Sequence, residues 1–168
     1  LIQHRDTGLG LASIAGAVHG TKGHDGYSPR EDRRSIVVNV GNVAIHIILR
    51  GGTDGPNHDA ESIARVEGHL GEAGLAPYLM VDCSHGNSCK DYRKQPEVAH
   101  DLCAQIATGC SAIAAVMVES NLVEGNQKLG DDPGALVYGQ SVTDACISWQ
   151  ATEEVLEGFA QAVRKRRG

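Results

Sequence analysis

The sequence predicts an α/β fold built on parallel strands, and three observations carry that expectation. Short, continuous apolar runs occur at 43–49 (VAIHIIL), 78–83 (YLMVDC) and 113–118 (IAAVMV). Runs of this length suit strands buried on both faces of a parallel sheet. Amphipathic helical patterns fill the two intervals between them. Finally, polar residues close the runs at a regular interval. His85 lies 35 residues after Arg50, and Glu119 lies 34 after His85. That interval matches the length of a βαβ unit.

The elements follow in order. The first run ends on Arg50, with Gly51 and Gly52 behind it. A helix is predicted over 59–73, with Ile63, Val66 and Leu70 on one face and Gly74 just past its end. The second run ends with Asp82 and, three residues on, His85. The next helix spans 96–108, with Pro96 near its start, Val98, Leu102 and Ile106 along its stripe, and Gly109 as its stop. The third run closes on Glu119. Residues 124–139 form a Gly/Asp/Pro loop with no helical pattern, and a short fourth strand at 141–145 presents Asp144. A last helix covers 152–166, with Leu156, Phe159 and Val163 as its stripe. The four strands are expected as parallel neighbours with Arg50, His85, Glu119 and Asp144 on one rim. A barrel and an open doubly wound sheet both fit this pattern. A full (β/α)8 barrel needs roughly 200 or more residues, so the 168 residues here have room for about half of one.

Composition narrows the partners. Lys plus Arg number 15 against 21 Asp plus Glu, a net charge of −6. An acidic chain lacks the electrostatic footprint for nucleic acid or an anionic membrane surface. No apolar run approaches the roughly 18 residues that a membrane-spanning helix requires. The basic run at 164–167 reads as cations facing a helix C-terminus. The five cysteines (83, 89, 103, 110 and 146) are an odd number with no CxxC pair, which reads as reduced thiols in a cytoplasmic protein. The chain opens on Leu1, and the expectation is a piece of something longer.

Active sites of parallel α/β proteins lie at the C-terminal ends of the strands. Here those ends carry Arg50, Asp82 with His85, Glu119 and Asp144. One imidazole and two carboxylates from successive strand ends make a divalent-metal site for an ion of the Mn, Fe, Co or Zn class. Acids at the ends of apolar strands are costly unless paired or metal-bound. Arg50, beside two glycines that allow close backbone approach, is suited to fork onto a phosphate or carboxylate, with a rim salt bridge as the alternative. Ser84 and His85 are adjacent, which disfavours a nucleophile–base hydrogen bond. No GxxxxGK[ST] loop is present. Mid-strand His46 reads as a packed interior residue.

Four motifs, read together, resemble one family. IILRGG at 47–52, MVDCSHGNS at 80–88 with KDYRKQP at 90–96, VMVESNLVEGNQ at 116–127 and SVTDAC at 141–146 resemble class I 3-deoxy-D-arabino-heptulosonate 7-phosphate (DAHP) synthase. The similarity runs in the family's order from about residue 35 to 167. It implies the C-terminal half of a (β/α)8 TIM-type barrel over 35–168, preceded by a divergent segment at 1–34. It also implies a shikimate-pathway transferase that condenses phosphoenolpyruvate with erythrose 4-phosphate. Carbon 3 of phosphoenolpyruvate attacks the aldehyde, water adds at carbon 2 and phosphate leaves, with a divalent metal as Lewis acid. By this resemblance His85, Glu119 and Asp144 are the metal ligands. His85 and Asp144 also serve catalysis, and Arg50 binds phosphoenolpyruvate.

The resemblance has gaps. The family's cysteine metal ligand and its KPRT segment, which serves both substrate sites, have no counterpart in the chain. An ungapped match places the family's phosphoenolpyruvate-binding lysine at Ile2. The isolated chain is therefore expected to make no detectable DAHP. The open edges of a half-barrel predict a homo-oligomer. Two alternatives stay open: a degenerate stand-alone relative that binds metal or an anion, and another metal-dependent α/β lyase or aldolase.

Overall fold

The computed structural model describes residues 2–3, 24–28, 33–37, 46–53 and 55–168. Its strands in chain order are β1 (Ile2–Gln3), β2 (His24–Ser28), β3 (Arg33–Val37), β4 (Ile47–Leu49), β5 (Leu79–Asp82), β6 (Ile113–Met117), β7 (Val123–Asn126) and β8 (Gln140–Ser141). The helices are α1 (Ala60–Glu72), α2 (Gln95–Ala107) and α3 (Trp149–Arg167). Strands β1, β4, β5 and β6 form one all-parallel sheet in that order. Strands β2 and β3 pair antiparallel as a separate hairpin. The pattern β4–α1–β5–α2–β6 is the α/β arrangement with parallel strands that the apolar runs predict.

Strand alternation divides the sheet's side chains between two faces. Ile47, Leu49, Leu79, Val81, Cys83 and Ile113 are buried with the apolar stripes of the helices. Those stripes comprise Ile63 and Leu70 of α1, Val98, Leu102 and Ile106 of α2, and Val155, Phe159 and Ala162 of α3. The opposite face carries Ile48, Met80 and Ala115 in register, then Asp82 opposite Met117. Arg50 and Glu119, each two residues further along its strand, bring that face to its C-terminal rim.

Capping chemistry sets the helix ends. The Asp59 carboxylate accepts the Ser62 N–H at 2.9 Å and opens α1. Gly74, at φ +67°, donates to the Gly71 carbonyl while Leu75 N–H reaches the Leu70 carbonyl at 2.8 Å. Gly109 and Cys110 repeat this double closure on Ile106 and Gln105 after α2. Both are Schellman caps, for which glycine is the favoured residue. Ser148 opens α3 through its bond from the Ala151 N–H. In the basic terminal turn, Arg166 donates to the Cys110 carbonyl at 2.9 Å, tying α3 to the turn after α2.

Several expectations are corrected. The predicted fourth strand, 141–145, does not join the main sheet. Only Gln140–Ser141 is extended, and it pairs in parallel with β7, which lies in the stretch read as featureless loop. The position beside β6 is filled instead by a single parallel bridge, Ser120 with Ile147. Local side-chain bonds explain the break. The Ser141 hydroxyl accepts the Thr143 N–H, and Asn126 donates to the Thr143 carbonyl, so this backbone is used up before a ladder can form. The stripe of α3 is also rotated: Val155 is buried, whereas Leu156 is 53% exposed. The helix begins at Trp149 rather than 152 because Ser148 caps it. Strand β4 is shorter than its apolar run. His46 precedes it, and residues 43–45 lie outside the described ones. Most of segment 1–34 also lies outside them.

Two glycines let the site-bearing loops touch. A Cβ on Gly51 would lie 2.5 Å from the Gly86 carbonyl carbon, and Gly51 has φ +76°. Gly86 N–H donates to the Arg50 carbonyl at 3.0 Å across this contact. Gly51→Ala is expected to cost about 2–4 kcal/mol, combining left-handed strain with overpacking. Gly74→Ala meets no neighbour and should cost about 1 kcal/mol. Equal costs in urea denaturation would contradict the close-approach account. Leu102 is fully buried between sheet and helices, and Leu102→Ala should lower unfolding free energy by about 2–5 kcal/mol in the same measurement.

Candidate metal and anion site

The rim is assembled from the turns that follow the parallel strands. Arg50 stands one residue beyond β4. Its Nε donates to Asp82 Oδ2 at 3.0 Å, so the rim salt bridge given as the alternative forms. This is the guanidinium's one hydrogen bond among the described residues, and it leaves the two terminal amino groups for an anion. Asp82 ends β5 with no solvent exposure. Its Oδ1 accepts the Ser84 N–H at 2.8 Å, which starts the turn carrying His85.

His85 sits at φ +49°, and Cys89 and Lys90 in the same loop are also left-handed, at +54° and +62°. Non-glycine residues adopt this conformation only when surrounding structure imposes it. Here Lys90 N–H closes on the His85 carbonyl at 2.7 Å, and Gly86 is held on Arg50. The His85 ring lies 2.8 Å from Asp82 through Nδ1 and 3.5 Å from Glu119 Oε1 through Nε2. The Nδ1 contact has the distance of an ion pair but misses the angular geometry of a hydrogen bond.

Glu119 follows β6 and is fixed twice. Its Oε2 accepts the Ser84 hydroxyl at 2.7 Å. Its backbone is clamped by the fully buried Gln95, whose Oε1 accepts the Glu119 N–H at 2.8 Å and whose Nε2 donates to the Glu119 carbonyl at 3.1 Å. Asp144 reaches the rim from the exposed turn after β8. The ligand atoms of His85, Glu119 and Asp144 all lie within 4.8 Å of one another. The structure thus brings together all four residues singled out in the sequence. Asp144 arrives on a turn and not on a sheet strand, as the corrected topology requires.

Four residues to which the sequence reading gave no site role hold the rim in place. Asn57 Oδ1 accepts the Gly51 N–H at 2.7 Å, and Asn57 N–H donates to Asn87 Oδ1 at 2.8 Å. Asn87 Nδ2 donates to the carbonyls of Leu49 and Asp82, bridging the ends of β4 and β5. Gln95 and Ser84 hold Glu119. Only long-range geometry marks these residues. Asn57 and Asn87 sit in glycine-containing loops where asparagine is ordinary, and Gln95 looks like a polar first-turn residue.

The donors suit a divalent ion of the Mn, Fe, Co or Zn class: one imidazole nitrogen and two carboxylates converge beside a guanidinium. All five cysteines are free thiols. Burial pushes the Cys83 thiol up to about 12, with Asp82 adding to the effect, and Cys83 packs in the core with the helix stripes. No helix of the described residues is long and apolar enough to cross a membrane.

Known proteins share this sequence and fold. The profile of the DAHP synthetase I family matches residues 14–157. The Phe-sensitive phospho-2-dehydro-3-deoxyheptonate aldolase of Escherichia coli K12 is 44% identical over 181 aligned residues, covering 98% of this chain and 51% of that protein. The phospho-2-dehydro-3-deoxyheptonate aldolase of Haemophilus influenzae is 50% identical over 133 residues, covering 79% of this chain and 36% of its own length. The solved structure of the Francisella tularensis aldolase of that name superposes with a TM-score of 0.83 at 39% identity, over 95% of this chain and 46% of that one. The chain thus spans about half or less of the length of these relatives. With the profile covering most of its residues and the rim motifs in the family's order, the chain belongs to the DAHP synthetase I family.

Proposed function

We propose that this chain supplies the metal-holding and phosphoenolpyruvate-holding rim of a DAHP synthase, an enzyme that joins phosphoenolpyruvate to erythrose 4-phosphate. The observation that carries the reading is the convergence of His85, Glu119 and Asp144 within 4.8 Å, on the rim where Arg50 is held by Asp82. In this reading β4, β5 and β6 are consecutive strands of a (β/α)8 barrel, with residues 35–168 as its C-terminal half and 1–34 as a divergent lead-in. A divalent ion bound by His85, Glu119 and Asp144 supplies Lewis acidity toward an aldehyde oxygen. Arg50 turns its free amino groups toward the carboxylate or phosphate of phosphoenolpyruvate, a bidentate match. Asp144, exposed at the edge of the rim, is the group that takes up or releases a proton beside the reacting carbons, and His85 serves catalysis through the ion it holds. The free thiols support a cytoplasmic setting. The exposed apolar residues of the β7–β8 excursion, Tyr138 and Leu129 foremost, support self-association.

Binding separates this reading from the alternatives. The chain should bind Mn(II) weakly, as measured by electron paramagnetic resonance, and His85→Ala should weaken it by roughly tenfold or more. Equal binding by both proteins would contradict the ligand assignment. Phosphate release from the two substrates by the 168-residue chain alone should be undetectable, because the family's KPRT segment has no counterpart here. Holding two substrates in reacting geometry is worth about 7–11 kcal/mol. Robust turnover by the chain alone would contradict the half-site reading. Metal binding that is never accompanied by turnover, even after co-expression with the N-terminal half of a relative, would favour the degenerate binder.

A further inference from the structure

We propose that Asp82 is a shared positioning residue, a single buried carboxylate that sets both the tautomer of His85 and the aim of Arg50. The inference deepens the reading above and rests on it for what His85 and Arg50 face.

Every group gathered around the Asp82 carboxylate can donate. Ser84 N–H reaches Oδ1 at 2.8 Å, Arg50 Nε–H reaches Oδ2 at 3.0 Å, and His85 Nδ1 stands 2.8 Å from the same Oδ2. An ionised carboxylate only accepts, and so does an imidazole nitrogen without its proton. Two acceptors 2.8 Å apart repel, so the proton of a neutral His85 belongs on Nδ1. That nitrogen is buried and meets the angular geometry of a hydrogen bond with none of the described residues, and Asp82 Oδ2 at 2.8 Å is the acceptor beside it. Protonation at Nδ1 leaves the lone pair on Nε2, which faces Glu119 Oε1 at 3.5 Å. A lone pair facing a carboxylate is an arrangement that a cation between them completes. Carboxylate–histidine pairs of this kind fix ring orientation and ligand basicity at metal sites.

Because Oδ2 carries both contacts, neither arm can move without the other. The backbone beneath is equally constrained, since Asn87 Nδ2 joins the Asp82 carbonyl to that of Leu49 at the ends of neighbouring strands. Asp82 therefore links the arm proposed to hold the anion to the arm proposed to hold the metal. Nothing in its position in MVDC distinguishes it from an ordinary strand-end aspartate.

Long-range proton–nitrogen NMR of the metal-free, 15N-labelled chain, above neutral pH, reads this directly. The parent chain should show His85 as the Nδ1–H tautomer and a slowly exchanging Arg50 Nε–H. In Asp82→Asn the negative charge is lost and one oxygen becomes an amino group, which must face a donor either way: the Ser84 N–H on one side, or Arg50 and His85 on the other. His85 should then populate both tautomers, Arg50 Nε–H should exchange faster, and Mn(II) affinity should fall about 10–100-fold. A parent His85 in the Nε2–H tautomer would overturn the proposal, and so would unchanged His85 and Arg50 signals in Asp82→Asn. The parent spectrum decides the point even if the variant does not fold. An Nδ1–H tautomer that is lost in Asp82→Asn, in a chain that binds no Mn(II), supports the role of Asp82 and removes the metal reading instead.

Discussion

A carboxylate with no solvent exposure is tolerable only where its charge is matched, and Asp82 meets that condition at the C-terminal end of β5. Its partners come from three places: the Arg50 guanidinium after β4, the Ser84 backbone and the His85 ring in the turn it begins. Removing one partner of such a buried pair typically costs about 3–5 kcal/mol, because the charge left behind cannot be rehydrated. The same requirement fixes the rim. Arg50 and His85 are drawn to one point, and the close contact of Gly51 with Gly86 is the backbone consequence. Asn57 and Asn87 stitch the two loops together with four more bonds.

The two faces of the sheet do different work. The helix-facing side is apolar and buries the stripes of all three helices, which supplies the stabilisation. The other side carries polar groups at its rim, where burial is incomplete and charges must be satisfied individually. Glu119 is held by Ser84 through its side chain and by Gln95 through its backbone, so its carboxylate is aimed before any ion arrives. Donors oriented in advance in this way need little rearrangement to bind.

The helical layer was largely legible in the sequence. Gly74 and Gly109 marked the ends of α1 and α2 because Schellman closure has few other solutions. The stripes of α1 and α2 followed the 3.6-residue period. Strand–helix spacing placed Arg50, His85 and Glu119 on one rim, because each closes a strand of the same parallel sheet. The region after Glu119 was not legible. In SVTDAC the Ser141 hydroxyl and the distant Asn126 amide take the backbone groups of Thr143 before a ladder can form, and pattern reading cannot weigh that competition. Asp144 was still correctly grouped with His85 and Glu119, although on a turn. The supporting residues Asn57, Asn87 and Gln95 were invisible, because each has a partner across the rim that lies 24–38 positions away in sequence.

The central claim is that three strand-end and turn residues form one cation site beside a held arginine. Its most direct test is anomalous X-ray diffraction from crystals of this chain soaked in Mn(II). The account predicts one dominant anomalous peak within coordination distance of His85 Nε2, Glu119 and Asp144. A dominant peak elsewhere, or no peak at this rim at saturating Mn(II), would contradict it.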